Sequence, residues 1–138
     1  MQTVLTLETF LALLLAVALG AIVGVEREKS HKPAGLRTHM LVSLGACLFT
    51  MMSTRFGAQP AQVAGGIVAG IGFIGAGTIW AEKDKVQGIT TAASLWATAA
   101  IGLTVGINDY PLAGVVTLLV VVILVSNRLL KRAGLEDD

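Results

Sequence analysis

"GGIVAGIGFIGAGTIW", residues 65–80, decides between two very different folds for this chain. Within it, Gly70-x-Gly72-x-x-Gly75 has the spelling of a dinucleotide-binding loop, which requires a preceding strand and, about 20 residues later, an acidic residue for the ribose. The sequence lacks that context. The stretch lies instead in an uncharged run, 56–81, that is long enough to cross a bilayer, where an open strand edge would leave backbone groups unpaired. The glycines therefore predict close helix contacts or a break in a helix.

The composition of the chain is that of a membrane protein. Of its 138 residues, 54% are hydrophobic and 14% are charged, and the mean hydropathy is +0.78. The net charge of +1 provides no basic field for phosphates, so we expect no nucleic-acid partner. The single cysteine, Cys47, lies in an apolar run and is expected to pack as a small hydrophobic residue.

Charged residues divide the chain into five uncharged runs, 9–25, 38–54, 56–81, 86–108 and 110–127, each of at least 17 residues. A run of this length crosses the hydrocarbon as a helix. We predict one domain, residues 1–138, with an all-α fold: a polytopic membrane helix bundle of about five transmembrane helices. Their approximate limits are 9–25, 38–54, 61–81, 88–106 and 110–127.

The distribution of lysine and arginine predicts the orientation of these spans. Positive loops stay in the cytoplasm, and an outside amino terminus leaves Arg55 as the one basic residue on the outer face. The carboxy terminus is then cytoplasmic, and the protein is expected in the bacterial inner membrane as a multi-pass protein. The cytoplasmic basic residues are Arg27, Lys29, Lys32, Arg37, Lys83, Lys85, Arg128, Lys131 and Arg132.

Small residues recur at helical spacing in three of the spans. In the third, Gly65 and Gly72 fall on one side of the helix, and Gly66 and Gly70 fall on the adjacent side. Two interpretations stay open: close helix packing, or an unwound segment that lines a cavity. The fifth span has few small residues and is expected to face lipid. The residues predicted for helix packing or pore lining are Gly20, Gly24, Gly66, Gly70, Gly72, Gly75 and Gly77.

A charge cluster is predicted at the cytoplasmic end of the first two spans. Continuing the first helix by 100° per residue points Arg27 into the bundle, with Glu26 and Glu28 as partners for its guanidinium and for that of Arg37. The cluster also includes Thr38. It is interpreted either as an ion-pair clamp between helix ends or as a site for an anion or a partner protein.

A hydroxyl cluster opens the fourth span and consists of Thr90, Thr91, Ser94 and Thr98. These side chains are expected to cap free N–H groups or to bond back to carbonyls, or alternatively to receive a ligand. His31 and His39 have no metal-ligand neighbours four residues away and are expected in solvent. Trp80 and Trp96 are expected at the membrane interface or in packing.

Several function classes are disfavoured by what the spans lack. No ionisable residue lies near the middle of a span, although proton pumps keep such groups despite a cost of about 2.5–3.5 kcal/mol each. No nucleophile has a neighbouring base, so we expect no enzyme. We assign no cofactor and no metal ligands. Magnesium is the one candidate ion, and it would need an octahedral set of oxygens.

Four stretches in order resemble the MgtC/SapB family of bacterial membrane proteins: "GAIVGVERE", "AGLRTHMLVSLGA", "GIGFIGAGTI" and "VQGITTAASLWATAAIGL". They cover the first four spans, so the chain resembles a short form with the transmembrane domain only. Longer members carry a soluble carboxy-terminal domain. By motif match, the family's characteristic positions are Glu26, Arg27, Ala34 to Thr38, Gly70, Gly72, Gly75, Gly77, Gly88, Thr90, Thr91, Ala92 and Trp96.

This resemblance implies an inner-membrane protein linked to growth in low magnesium, survival inside macrophages and restraint of the ATP synthase by membrane contact. Our leading hypothesis is a regulator that contacts the ATP synthase or another cation transporter through its helices. The alternative is a small transporter or channel for a divalent cation such as magnesium. We also expect a homo-oligomer in the lipid bilayer, with a dimer favoured, because five short helices offer more smooth surface than one protomer covers.

Overall fold

The chain is an all-α helical bundle with one small β-hairpin. A computed structural model describes residues 6–55, 57, 59–82 and 85–132. In these residues it contains five helices and two strands, in the order α1 (Leu7–Lys29), α2 (Leu36–Arg55), α3 (Pro60–Ala76), β1 (Trp80–Glu82), β2 (Lys85–Gln87), α4 (Ile89–Gly106) and α5 (Tyr110–Arg132). The predicted fold class, an all-α bundle, is confirmed.

The ends of α1 are fixed by local sequence. The Thr6 hydroxyl caps the helix by accepting a hydrogen bond from the Thr9 N–H at 3.1 Å. Glu8 lies in the first turn, and Arg27 and Lys29 lie in the last, where their charges complement the helix dipole. Proline at the first position of α3 fixes the start of that helix. It fits there because an N–H group in the first turn has no partner within the helix.

Helices α1, α2 and α4 pack against one another and form the centre of the bundle. Glycines bring their backbones close together. A Cβ atom on Gly20 of α1 would lie 2.6 Å from the carbonyl oxygen of His39, and one on Gly102 of α4 would lie 2.1 Å from that of Ser43. Side chains larger than hydrogen are therefore excluded where α1 and α4 cross α2.

Helix α3 is continuous over its 17 residues, so it contains no unwound segment between Pro60 and Ala76. No strand precedes residues 70–77 in the described part of the chain, which rules out a dinucleotide loop there. Its glycines are used differently from those of α1 and α4. A Cβ on Gly65, Gly66, Gly70 or Gly72 would meet nothing within 4 Å, and among the glycines within α3 only Gly75 would place a Cβ against α4, with Ala92 Cβ at 3.4 Å.

The hairpin between α3 and α4 was not expected from the sequence, which placed Trp80 and Ala81 at the end of the third span. Its two strands pair antiparallel, with Ala81 opposite Val86. Gly88 then starts α4 with φ of +90°, and a Cβ there would lie 1.8 Å from the Thr78 carbonyl oxygen. Only glycine fits both the left-handed backbone and this close approach.

Polar residues are inside the bundle and large apolar residues cover its outside. Among the residues that the structure describes, ten polar or charged side chains are buried, whereas Phe73 is 85% and Leu118 is 64% exposed. Helices α1 and α4 are long and apolar enough to cross a membrane, while the apolar parts of α3 and α5, Ala61–Ala76 and Tyr110–Ser126, are shorter. An apolar exterior is what lipid requires of a helix bundle, because lipid tails offer polar groups no hydrogen-bond partners. Polar side chains inside the bundle find such partners there.

Candidate functional site

The candidate site is a buried polar cluster at one end of the central three helices. Its members are Glu26, Arg27 and Ser30 from α1 and the residue that follows it, His39 and Ser43 from α2, and Thr91, Ser94 and Thr98 from α4. The bond from His39, near the start of α2, to Ser94, near the start of α4, places both helix starts at the same end. The corner between α1 and α2 therefore lies at the same end as the hairpin that precedes α4.

Glu26 and Arg27 form a buried ion pair on the last turns of α1. Their side chains are 7% and 4% exposed, and the Arg27 Nε donates to Glu26 Oε2. The Ser30 hydroxyl donates to the other carboxylate oxygen at 2.8 Å. A buried carboxylate and guanidinium require such partners, because desolvation of an unpaired charge costs several kcal/mol.

Glu28 lies on the exposed side of the same corner and makes a different contact. Its Oε2 accepts a hydrogen bond from the Leu36 N–H at 2.8 Å, so the carboxylate caps the amino terminus of α2. Gly35 leaves room for it, since a Cβ at that position would lie 1.8 Å from the same oxygen. The two glutamates that flank Arg27 therefore do not share it.

His39 connects the corner to α4. Its Nδ1 lies 2.9 Å from the Gly35 carbonyl oxygen and its Nε2 lies 3.1 Å from the Ser94 Oγ, and the side chain is fully buried. A carbonyl only accepts, so Nδ1 carries a proton. Glu26 and Arg27 are both close enough to His39 to interact with it electrostatically.

Ser94 has one hydroxyl proton and two acceptors within reach. Its Oγ lies 2.8 Å from the Thr91 carbonyl oxygen as well as near His39. When the hydroxyl donates to Thr91, the His39 Nε2 must be the donor, and the imidazole is then doubly protonated. When His39 is neutral, the hydroxyl donates to Nε2 instead. The Ser94 hydroxyl can therefore satisfy both contacts at once only when the imidazole is doubly protonated.

One further hydroxyl of the cluster, that of Thr98, bonds to its own helix. The Thr98 Oγ1 donates to the Ser94 carbonyl at 2.8 Å, which is the back-bonding expected for this residue. Thr91 is 2% exposed. The Ser43 Oγ is buried and has no hydrogen-bond partner among the described residues. No group of three or more His, Cys, Asp or Glu side chains in the described ranges could hold a metal ion.

The structure brings together part of what the sequence singled out. Glu26, Arg27, Thr91, Ser94 and Thr98 meet in the polar cluster, with Gly20 and Gly24 allowing the close approach of α1 to α2. Other predicted residues lie elsewhere. Glu28, Arg37 and Thr90 are exposed, Thr38 lines a groove described below, Gly77 caps the end of α3, and Gly66, Gly70, Gly72 and Gly75 lie along α3.

The prediction that His39 lies in solvent is wrong. The residue is in the first turn of α2, on the face that meets Gly24 of α1, so the packing of three helices covers it. His31 is exposed as expected. A signal for His39 was available: His39, Ser43 and Cys47 recur every four residues in an apolar helix, and polar groups in such a helix face the bundle interior.

Comparisons with known proteins match this chain to one family over most of its length. The model of the MgtC family matches residues 13–133. The chain is 42% identical over 130 residues to the "Putative magnesium transporter YhiD" of Escherichia coli (strain K12), covering 84% of this chain and 60% of that protein.

Two further relatives carry the name protein MgtC. The one from Salmonella typhimurium (strain LT2) is 43% identical over 125 residues, covering 90% of this chain and 53% of its own length. The one from Brucella abortus (strain 2308) is 42% identical over 110 residues, covering 78% of this chain and 46% of its own length. No solved structure matches the chain.

The chain thus spans about half the length of the curated relatives it matches. The match nevertheless includes all four quoted motifs and the whole polar cluster, from Glu26 to Thr98. By the extent of this match, the chain belongs to the MgtC family.

Proposed function

We propose that this protein is a small regulator in the bacterial inner membrane that contacts a transport protein through its helices and contributes to magnesium homeostasis. The link to magnesium is supported by membership of the MgtC family and by the name of the Escherichia coli relative. The proposed partner is the ATP synthase or a cation transporter, in line with the family resemblance. No catalytic activity is assigned to the protein.

The observation that carries the proposal is the unused glycine face of α3. Gly65 and Gly72 lie on one side of α3, and a Cβ on either would meet nothing within 4 Å. At the buried glycines of α1 and α4, by contrast, α2 occupies the space beside the backbone. A smooth face without a neighbour lets a second helix approach closely, which is how membrane helices associate. We assign this side of α3 to contact with a partner or with a second copy of the chain.

The proposed membrane placement is multi-pass, with the amino terminus outside and the carboxy terminus in the cytoplasm. It is supported by the two long apolar helices and by the apolar exterior of the bundle. The corner between α1 and α2 and the β-hairpin lie at the same end of the bundle, and both carry the basic residues expected in the cytoplasm. The polar cluster is then near the cytoplasmic surface.

Reconstitution of the purified protein in liposomes tests the regulator against a transporter. A regulator produces no magnesium or proton flux when it is alone in the vesicle. In gently solubilised membranes, the wild-type chain should capture the partner and form a crosslinked dimer, and Gly65→Leu/Gly72→Leu should lose both. The control Gly114→Leu is on α5, also meets open space and should retain both. Robust flux of either ion without a partner would overturn the proposal.

The alternative is a small transporter or channel for a divalent cation. The observation in its favour is the name of the Escherichia coli relative, "Putative magnesium transporter YhiD". The continuous α3 and the lack of a candidate metal-binding group in the described residues favour the regulator. Flux of magnesium that saturates with concentration and is abolished by changes at Ser94 or Glu26 would support the alternative.

A further inference from the structure

An apolar groove of about 700 Å³ runs between α2 and α3. Its lining extends from Thr38 to Phe49 on α2 and from Val63 to Ile74 on α3. Leu41 is 67% and Phe49 is 63% exposed, so the groove opens to the outside of the bundle along its length. Pockets of about 300–1,000 Å³ commonly hold small molecules, so the space is sufficient for one apolar ligand.

The length of the groove selects the kind of occupant. Thr38 and Phe49 are separated by eleven helical steps, which correspond to about 16 Å. The hydrocarbon core of a bilayer is about 30 Å thick, so one leaflet contributes about 15 Å. The groove therefore has the length of one acyl chain in one leaflet. A second transmembrane helix, which is about 30 Å long, would extend beyond the groove.

The mouth of the groove carries a positive charge. Arg37, Leu41, Gly45 and Phe49 follow one another at intervals of four residues, so Arg37 continues the row of lining residues by one turn. Its side chain is exposed and forms no ion pair with another described residue. Thr38 adds a hydroxyl at the same end. Basic groups beside an apolar groove on the cytoplasmic side of a membrane protein favour an anionic headgroup.

We propose that this groove binds an anionic phospholipid, with one acyl chain between α2 and α3 and the headgroup at Arg37 and Thr38. The proposal rests on the membrane placement given above and is independent of the partner and of the magnesium link. Gly45, Gly66 and Gly70 line the groove, and a Cβ on any of them would meet nothing within 4 Å. The lack of side chains at these positions therefore keeps the groove wide. Larger side chains there would occupy the volume of the acyl chain.

Native mass spectrometry of the purified full chain tests the proposal. The protein is equilibrated with vesicles of equal parts phosphatidylglycerol and phosphatidylethanolamine, and the retained lipids are counted. A photoactivatable phosphatidylglycerol with the reactive group in the acyl chain then locates the site. The wild type should retain phosphatidylglycerol preferentially, with adducts on groove residues such as Leu41 and Ile74.

Two variants separate the headgroup from the acyl chain. Arg37→Gln should lower the retained phosphatidylglycerol by about fivefold, which is the effect of one basic residue near an anionic surface, and leave phosphatidylethanolamine unchanged. Gly66→Leu/Gly70→Leu should abolish the adducts in the groove for both lipids. Helical circular dichroism shows whether this variant is folded, and Arg37→Gln tests the proposal without any change in packing.

Matched controls lie next to each change. Lys32→Gln removes an exposed charge at the same end of the bundle but outside the groove, and Gly65→Leu/Gly72→Leu fills the adjacent side of α3. Both should retain phosphatidylglycerol as the wild type does. Equal retention of the two lipids by the wild type, adducts spread outside the groove, or a second copy crosslinked to Leu41 would each overturn the proposal. None of these readouts involves ion flux or partner capture, so the proposed function can fail separately.

Discussion

His39 Nε2 lies 3.1 Å from Ser94 Oγ, and this hydrogen bond joins the start of α2 to the start of α4 inside the bundle. The two residues are 55 positions apart in the sequence and come from different apolar runs. The ring is held at its other nitrogen by the Gly35 carbonyl, so its orientation is fixed. It directly links the corner between α1 and α2 to the start of α4, the helix that follows the hairpin.

We predict that His39 and Ser94 are energetically coupled. His39→Ala and Ser94→Ala should each destabilise the protein, because each leaves a buried polar group with fewer partners, at a cost of about 1–3 kcal/mol. In a double-mutant cycle the coupling should be about 0.5–3 kcal/mol. The free energy of unfolding in mixed micelles is the measurement.

The matched control for this cycle is Thr104→Ala. Thr104 is also on α4 and its hydroxyl also donates to a carbonyl of its own helix, that of Ala100, but it lies ten residues, or about 15 Å of helix, from Ser94. Combined with His39→Ala, it should be additive within about 0.5 kcal/mol. Additive behaviour of the His39 and Ser94 changes themselves would contradict the hydrogen bond as a stabilising link.

We predict that removing one member of the buried ion pair is more harmful than removing both. Arg27→Ala leaves the Glu26 carboxylate buried without its guanidinium and should cost about 3–5 kcal/mol of unfolding free energy. Glu26→Gln/Arg27→Met removes both charges and should cost less. Thermal unfolding in detergent, followed by circular dichroism, ranks the three proteins.

Arg37→Ala is the control for the ion pair. Arg37 is exposed, so its loss should change the unfolding free energy by no more than about 0.5 kcal/mol. If Arg27→Ala proved as mild as Arg37→Ala, the guanidinium of Arg27 would have to be solvated rather than buried.

We predict that glycines of similar spacing differ sharply in their tolerance of alanine. Gly102→Ala places a methyl group 2.1 Å from the backbone oxygen of Ser43, so α2 and α4 must separate. Overpacking of this kind costs about 1–3 kcal/mol or more. Gly72→Ala meets open space and should be neutral or stabilising by up to about 1 kcal/mol, because alanine is the better helix former.

Melting temperatures of the two alanine variants in the same detergent provide the comparison. Equal losses at Gly102 and Gly72 would show that the glycine face of α3 is already occupied in the solubilised protein, for example by a second copy. The oligomeric state of each variant by light scattering distinguishes that outcome from a general weakness of the helices.

The sequence by itself was sufficient to predict the fold class. An apolar content of 54% with charges confined between long runs favours helices, because in lipid a helix satisfies its own backbone, and the structure is an all-α bundle. Helical spacing was also sufficient to predict that Arg27 points into the bundle, because the small residues of α1 mark the face that meets α2. Both conclusions follow from the local periodicity of the sequence.

Only the tertiary structure decided which glycines have neighbours and which polar groups meet. The glycines of α1, α3 and α4 look alike in the sequence. In the structure α2 packs directly against those of α1 and α4, whereas most of those of α3 have no neighbouring atom where a Cβ would be. His39 and Ser94 belong to separate helices, and the hairpin depends on where α3 ends. A periodic pattern specifies the face of each helix, but the neighbour of that face depends on how all the helices pack together.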